Sequence, residues 1–199
     1  MNKILKNCLG VGVSLTVLLS MSEAQAFSLI NDDLIVPTSD LKENFPGRFF
    51  LKEIADGDTG NFNGFSSGSA TGTITLDLIG DFNLRSFILW NDINILAEGI
   101  ENFRLDFFTS SDSFIKSSNI FVGPRGQFEG EEYIFDEVVS NVSKVDLVVL
   151  SSYSGFGSDI EIREVAFTGV TTPEPNSIVS LLILGTANLG YFLKRKILG

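Results

Sequence analysis

The sequence contains no histidine and a single cysteine, Cys8, among its 199 residues. Without histidine there is no Ser-His-Asp or Cys-His catalytic arrangement and no His-ligated zinc site. One cysteine permits no disulfide within the chain. Positive charge is scarce too: 14 Lys and Arg stand against 25 Asp and Glu, for a net charge of −11. Phosphate backbones are held by concentrated positive charge, so no nucleic-acid partner is expected. Tryptophan occurs once and tyrosine three times, yet phenylalanine occurs 18 times. With 19 glycines beside them, these rings favour a Phe-packed β-protein with many turns over a helical bundle. Hydrophobic residues at 44% and charged residues at 20% are globular proportions and argue against a disordered chain.

The two ends read as addresses. In residues 1–26, Lys3 and Lys6 supply a positive start and Cys8 to Leu19 a short apolar run. Ala24-Gln25-Ala26 places small residues at the two positions a signal peptidase must accommodate. The apolar run is roughly 12 residues against the about 20 that span a bilayer, so a cleaved signal peptide is expected rather than an anchor. Cleavage after Ala26 removes Cys8 and leaves a mature chain with no thiol. At the other end, Pro173-Glu174-Pro175 precedes an apolar stretch, 178–193, and then Lys194, Arg195 and Lys196. The basic end of such a span stays cytoplasmic. About 16 residues is marginal for a permanent span. Tripeptide, short span and basic tail, in that order, resemble the PEP-CTERM sorting signal of exported bacterial proteins. The resemblance implies an exosortase-type sorting enzyme that reads Pro173, Glu174 and Pro175, transient membrane attachment through the span, and a final place in the cell envelope or outside the cell.

Between the addresses, residues 27–172 hold 23 acidic and 9 basic residues, a net of −14. Such a surface stays soluble and favours cations. Period-2 alternation dominates and no convincing helical period appears. Ile74, Leu76 and Leu78 are expected inward on one strand, Phe103, Leu105 and Phe107 on another, and Val145 to Val149 form a third. Further strands are expected at 48–54, 84–90, 113–122, 127–135 and 160–168, with turns at Asp56-Gly57-Asp58, Gly80-Asp81, Asn91-Asp92, Gly123-Pro124 and 154–158. Single helical turns are expected at 40–43 and 93–98. About eight short strands in this length predict an all-β, two-sheet antiparallel sandwich of jelly-roll type. Glu129, Glu131, Glu132, Asp136 and Glu137 read as a solvated strand edge that discourages pairing with other chains.

The order of motifs narrows the sandwich. Asp56-Gly57-Asp58-Thr59 precedes a strand ending Leu76-Asp77-Leu78. Gly99-Ile100-Glu101-Asn102-Phe103 follows, and Glu164-Val165-Ala166-Phe167 stands late in the chain. Over about residues 48–168 this resembles the discoidin or coagulation-factor type C domain of the galactose-binding-like superfamily. Phe62 or Phe65 stands where that family often has a tryptophan. The resemblance implies a structural Ca²⁺ between the early turn and the last strand, held by the side chains of Asp56 and Glu164 and by oxygens near Asp58 and Thr59 or Ser66. The alternative is that Asp56-Gly57 is only a turn.

Sugar binding would use loops at one end of the sandwich, with aromatic faces for stacking and polar groups for hydroxyls. Trp90-Asn91-Asp92 is the best cluster, followed by Tyr153 and Phe156, and then Phe62 and Phe65. Trp90 reads equally well as a core residue. Paired carboxylates could serve glycoside hydrolysis, but no motif brings two together, and a non-catalytic protein is expected. Two classes remain: a recognition module that binds glycan, exopolysaccharide or matrix, and a structural envelope or matrix protein with no small ligand. If the leader is cleaved after Ala26, secreted protein will begin at Phe27 on N-terminal sequencing; if the sorting signal is read, Glu174→Ala will leave unprocessed protein in the inner membrane. Normal processing of that variant would make the span an ordinary anchor.

Overall fold

The structure, a computed structural model, describes residues 26–45, 47–154 and 159–172. The expected signal peptide up to Gln25, Phe156, and the tail from Pro173 lie outside the described residues. Among the described residues, nine strands occur in chain order: β1 (Ser28–Leu29), β2 (Ile35–Ser39), β3 (Phe65–Ser67), β4 (Gly72–Asn91), β5 (Ile100–Phe108), β6 (Phe114–Ser117), β7 (Phe121–Val122), β8 (Glu131–Ser152) and β9 (Ile160–Thr171). Every pairing is antiparallel. The helical elements among the described residues are 3-10 turns at Asp32–Leu34 and Leu51–Ala55.

β4 and β8 decide the architecture. They are 20 and 22 residues long. Straight, 20 residues would reach roughly 66 Å, whereas a domain of this size has a radius of gyration of about 15 Å. Both strands therefore bend, at bulges where their mutual register shifts between Asp77 and Ser86. Gly80 and Asn141, at φ 122° and 58°, supply the left-handed positions there. Each long strand thus serves two layers. Up to Asp77, β4 lies between β2 and the last part of β8, which continues to β5. From Phe82 onward, β4 lies between β9 and the first part of β8. β1 and β3 flank β9, and β6 and β7 flank β5.

The layers close on aromatic side chains. Phe103 of β5 meets Tyr133 of β8 edge-on, with ring centroids 5.1 Å apart, and Phe87 of β4 at 5.7 Å. Phe87 also packs on Phe167 of β9 at 5.3 Å, and Phe107 meets Phe135 at 5.2 Å. Each buried ring contributes about 1.5–3 kcal/mol. Ile74, Leu76, Leu78, Phe103, Leu105 and Phe107 all point into this core, as the alternation predicts. The protein is an all-β antiparallel sandwich.

Several local expectations are corrected. Residues 48–54 are not a strand: Phe49 takes φ 57° and Leu51–Ala55 form a 3-10 turn. The Glu53 carboxylate reaches back to accept from the Phe50 N–H at 3.1 Å, which favours the turn. Gly80-Asp81 does not separate two strands but bends one. Residues 113–122 divide into β6 and β7, and the 127–135 strand begins only at Glu131. Residues 40–43 form a bend and 93–98 an irregular turn. The acidic run does lie along a free edge: the first part of β8 pairs with β4 alone, and Glu132, Asp136 and Glu137 face solvent.

One residue that alternation does not mark gathers the loops at one end. Arg163 is 2% exposed and sits at a register shift of β9 against Asn91. Its guanidinium donates to the carbonyls of Asn91 at 2.8 Å, Thr59 at 2.7 Å, Gln127 at 3.1 Å and Phe128 at 2.8 Å. Burial pulls its pKa down, and Asp92 and Glu129 oppose that pull. Losing one partner of such a buried charged network costs about 3–5 kcal/mol. Arg163→Met is expected to lose that much in urea unfolding. A variant as stable as the wild type would show that the four carbonyls find water instead.

Candidate calcium and ligand site

The loop after the 3-10 turn is anchored by buried Ile54 and Ala55 and organised by its own polar groups. Asp56 Oδ1 accepts from the Asp58 N–H at 3.0 Å and from Asn63 Nδ2 at 2.8 Å. Asp58 Oδ1 accepts from the Gly60 N–H at 2.9 Å, and the Asp58 carbonyl accepts from Asn63 Nδ2 at 2.7 Å. The loop then runs hard against β9. At Gly64, φ 116°, a Cβ would stand 2.0 Å from the Ile162 carbonyl oxygen, so only glycine allows this approach.

Glu164 on β9 faces this loop. It is 2% exposed, and neither carboxylate oxygen has a hydrogen-bond partner. Burial pushes its carboxyl up to about 8; the Asp56 and Gly57 N–H groups, which face it outside hydrogen-bonding geometry, oppose the shift, and the Asp32 and Asp56 carboxylates add to it. A buried ionisable group without a partner is costly and calls for an explanation. The early turn and the last strand lie near one another at Asp56 and Glu164. Asp32 is an addition that the sequence reading missed. Its carboxylate stands over Gly57, where a Cβ would lie 2.8 Å from Oδ2. The adjacent acids in Asn31-Asp32-Asp33 were the available signal.

The other expected oxygens point elsewhere. The Asp58 carbonyl is engaged by Asn63 and the Thr59 carbonyl by Arg163. Ser66 lies opposite Glu161, not Glu164. Carbonyl direction depends on partners far along the chain, which spacing alone does not reveal.

The expected ligand residues largely serve the fold. Asn91 is 1% exposed. Its amide donates to the carbonyls of Ile100 at 2.7 Å and Pro124 at 2.9 Å and accepts from the Ile100 N–H at 2.8 Å. It is a clamp between loops, which corrects its reading as a ligand contact. Trp90 is half-buried against Gly130, where a Cβ would come within 2.4 Å of the indole. Asp92 is buried and accepts from the Asn94 and Ile95 N–H groups. The Tyr153 hydroxyl donates to the Gly123 carbonyl at 2.6 Å, and the Arg125 guanidinium lies 4.8 Å from its ring centre. Phe65 is core.

Exposed apolar groups instead mark the loop end gathered by Arg163. Phe62 is 79% and Phe128 57% exposed. Ile95 and Leu96, also exposed, belong to the 92–99 loop, which is tied to the Phe62 loop by Asn94 Nδ2 donating to the Asn61 carbonyl at 2.7 Å. Arg163 itself lies 5.3 Å beneath the Phe128 ring centre. A separate cavity of about 100 Å³ opens between β6 and the free edge of β8, lined by Phe107, Lys116, Phe121, Phe135 and Asp136.

No protein-family model and no curated protein matches this sequence. Solved structures do resemble it. A family 32 carbohydrate-binding module from Clostridium perfringens NanJ, solved in complex with galactose, is 11% identical with a TM-score of 0.56, covering 72% of this chain and 99% of its own. Another such module, from a family 31 glycoside hydrolase of Clostridium perfringens, is 12% identical with a TM-score of 0.58, over 71% of this chain and 95% of its own. An F5/8 type C domain from Bacteroides fragilis is 7% identical with a TM-score of 0.59, over 73% of this chain and 98% of its own. The chain therefore carries the discoidin-like sandwich fold.

Proposed function

We propose that the chain is an exported, surface-sorted, non-catalytic module that binds glycan through the loop end organised by Arg163. The observation that carries this reading is the likeness, along nearly the whole of their length, to modules that bind carbohydrate. The exposed Phe62 and Phe128 rings at one end of the sandwich support it, since sugar faces stack on aromatic surfaces. Export and sorting rest on the signal peptide and on the Pro173-Glu174-Pro175 tail. An array of glycans probed with the exported protein is the test. Retained binding of galactose-type sugars that falls at least tenfold in the Phe62→Ala, Phe128→Ala double variant supports the reading. Absence of binding across the array favours the structural-envelope alternative.

The two buried carboxylate oxygens of Glu164 suit a hard cation, and Asp32 and Asp56 are the nearby acids that would complete its ligands, although the oxygens of these three are not gathered within 4.8 Å of one another. Bound there, the ion would neutralise Glu164 and fasten the early loop to the last strand. A cation bound only by the folded state stabilises it by about 2.7 kcal/mol at 100 times its dissociation constant.

The sign of the pH dependence follows from the carboxyl at about 8, well above its unfolded value of about 4.3. Between those values the folded state binds more protons than the unfolded state, so stability falls as pH rises. Without Ca²⁺, the melting temperature is expected to fall from pH 5 to pH 8. Ca²⁺ should lift it at pH 8 more than equal Mg²⁺ does, because Mg²⁺ resists irregular protein sites. Glu164→Gln should reduce the slope, leaving the part that Glu161 carries, and, like Asp56→Asn, reduce the Ca²⁺-specific rise. Equal shifts with both ions, or variants that keep the whole difference, would leave Asp56 as a turn residue only.

A further inference from the structure

We propose that Asp92, Glu98 and Glu161 form a second divalent-cation site, completed by the Ser66 hydroxyl and suited to Ca²⁺. Oxygens of these three acids lie within 4.8 Å of one another. They come from two segments: the two ends of the 92–99 loop and the start of β9. The backbone holds them there, since the Glu161 N–H donates to the Glu98 carbonyl at 2.8 Å. Asp92 is fixed by the two loop N–H groups that it accepts, at 3.1 and 2.6 Å.

Ser66 is the independent observation. Its side chain is 0% exposed and its Oγ has no hydrogen-bond partner. It stands directly opposite Glu161 in the β3–β9 register, so both side chains share one face. The hydroxyl favours the charged form of Glu161 without reaching hydrogen-bonding geometry. An enclosed hydroxyl beside a carboxylate, with nothing bound to either, is a pair of unused oxygen ligands. A cavity of about 10 Å³, lined on one side by Asn61, Asn63, Asp92, Glu161 and Arg163 and on the other by Phe49, Phe65 and Ile162, adjoins them, which is room for roughly one water-sized occupant.

Among the described residues, no lysine or arginine forms an ion pair with any of the three acids. The nearest base, Arg163, spends its donors on backbone carbonyls. Asp159 adds a fourth negative charge nearby, and its carboxylate accepts from the Asn44 amide. Burial, offset in part by Ser66, and repulsion from Asp92, Glu98 and Asp159 push the Glu161 carboxyl up to about 7. Burial with Asp159 and Asp92 raises Glu98 as well. A hard divalent cation relieves that repulsion and uses every oxygen, and Ca²⁺ tolerates the irregular geometry.

The site is distinct from that at Glu164, and the test separates them. The full chain carrying Glu164→Gln, stripped of metal and held in 0.15 M salt to screen diffuse binding, is titrated calorimetrically with CaCl₂. One Ca²⁺ per chain is expected. Adding Glu161→Gln should abolish binding, and adding Glu98→Gln, which leaves every strand intact, should do the same. Adding Ser66→Ala should weaken it several-fold. Circular dichroism verifies that each variant is folded. No binding by the Glu164→Gln chain, unchanged binding in the folded Glu161→Gln or Glu98→Gln chains, or equal affinity for MgCl₂ would each overturn the proposal.

Discussion

The structure turns on two adjacent buried charges of opposite sign in β9. Arg163 and Glu164 are each 2% exposed, yet they do not pair with each other. Arg163 is satisfied by four carbonyls from three segments, and Glu164 by none. Burying an ion is tolerable only when its partners are supplied in place. The guanidinium therefore dictates where the 57–64 loop, the end of β4 and the 127–128 segment must sit. The register slip between Trp90 and Asn91 is what turns consecutive residues of one strand to these separate tasks. The loop end that carries the exposed rings is in this sense built on one side chain.

The alternation of apolar residues was sufficient where a strand is regular. The triplets Ile74-Leu76-Leu78, Phe103-Leu105-Phe107 and Val145-Leu147-Val149 were legible because each has one buried face, and a slip of one residue would expose all three members. The long bent strands were not, because a bulge changes the phase. In β4 the buried apolar positions run Leu84, Phe87, Leu89, and in β8 they run Phe135, Val139, Val142, Val145. Gaps of three and four inside a period-2 pattern are the imprint of the bulges. They read as loop boundaries to an eye expecting short strands. Ile162 to Val165 carries the same three-residue gap, around Arg163.

The candidate site was legible to the extent that it depends on side-chain identity. Asp56 and Glu164 stand more than 100 positions apart, and only the order of flanking motifs suggested that they meet. What the sequence could not convey was the direction of each backbone carbonyl. Thr59 turns to Arg163 and Asp58 to Asn63 because the packed chain brings those donors beside them, which is a property of the folded state. Asn91 misled for a similar reason. An amide at a strand end is equally fit to hold a hydroxyl of a sugar or to clamp Ile100 and Pro124, and burial alone decides between them.

The distribution of acids has a consequence beyond any single site. Residues 27–172 carry a net of −14, and self-repulsion of that size works against a compact state. No residue after Cys8 can form a disulfide, so covalent closure of the sandwich is not open to this domain. Most of the acids relieve the strain by facing solvent, as the edge of β8 does. Glu164 does not, and Glu161 does so only in part: at the packed start of β9 Glu161 is half-buried and Glu164 buried, and their carboxyls are pushed up to about 7 and about 8. Each is held beside further acids, Glu161 near Asp92 and Glu98, Glu164 near Asp32 and Asp56. A proton can neutralise either carboxylate, but it brings no ligand shell and joins no segments. A divalent cation neutralises the charge and binds oxygens from separate segments at once. Residues 27–172 hold no thiol and no imidazole, so oxygen ligands are what they offer a metal, and β9 is the strand on which the acids of the early and middle segments converge.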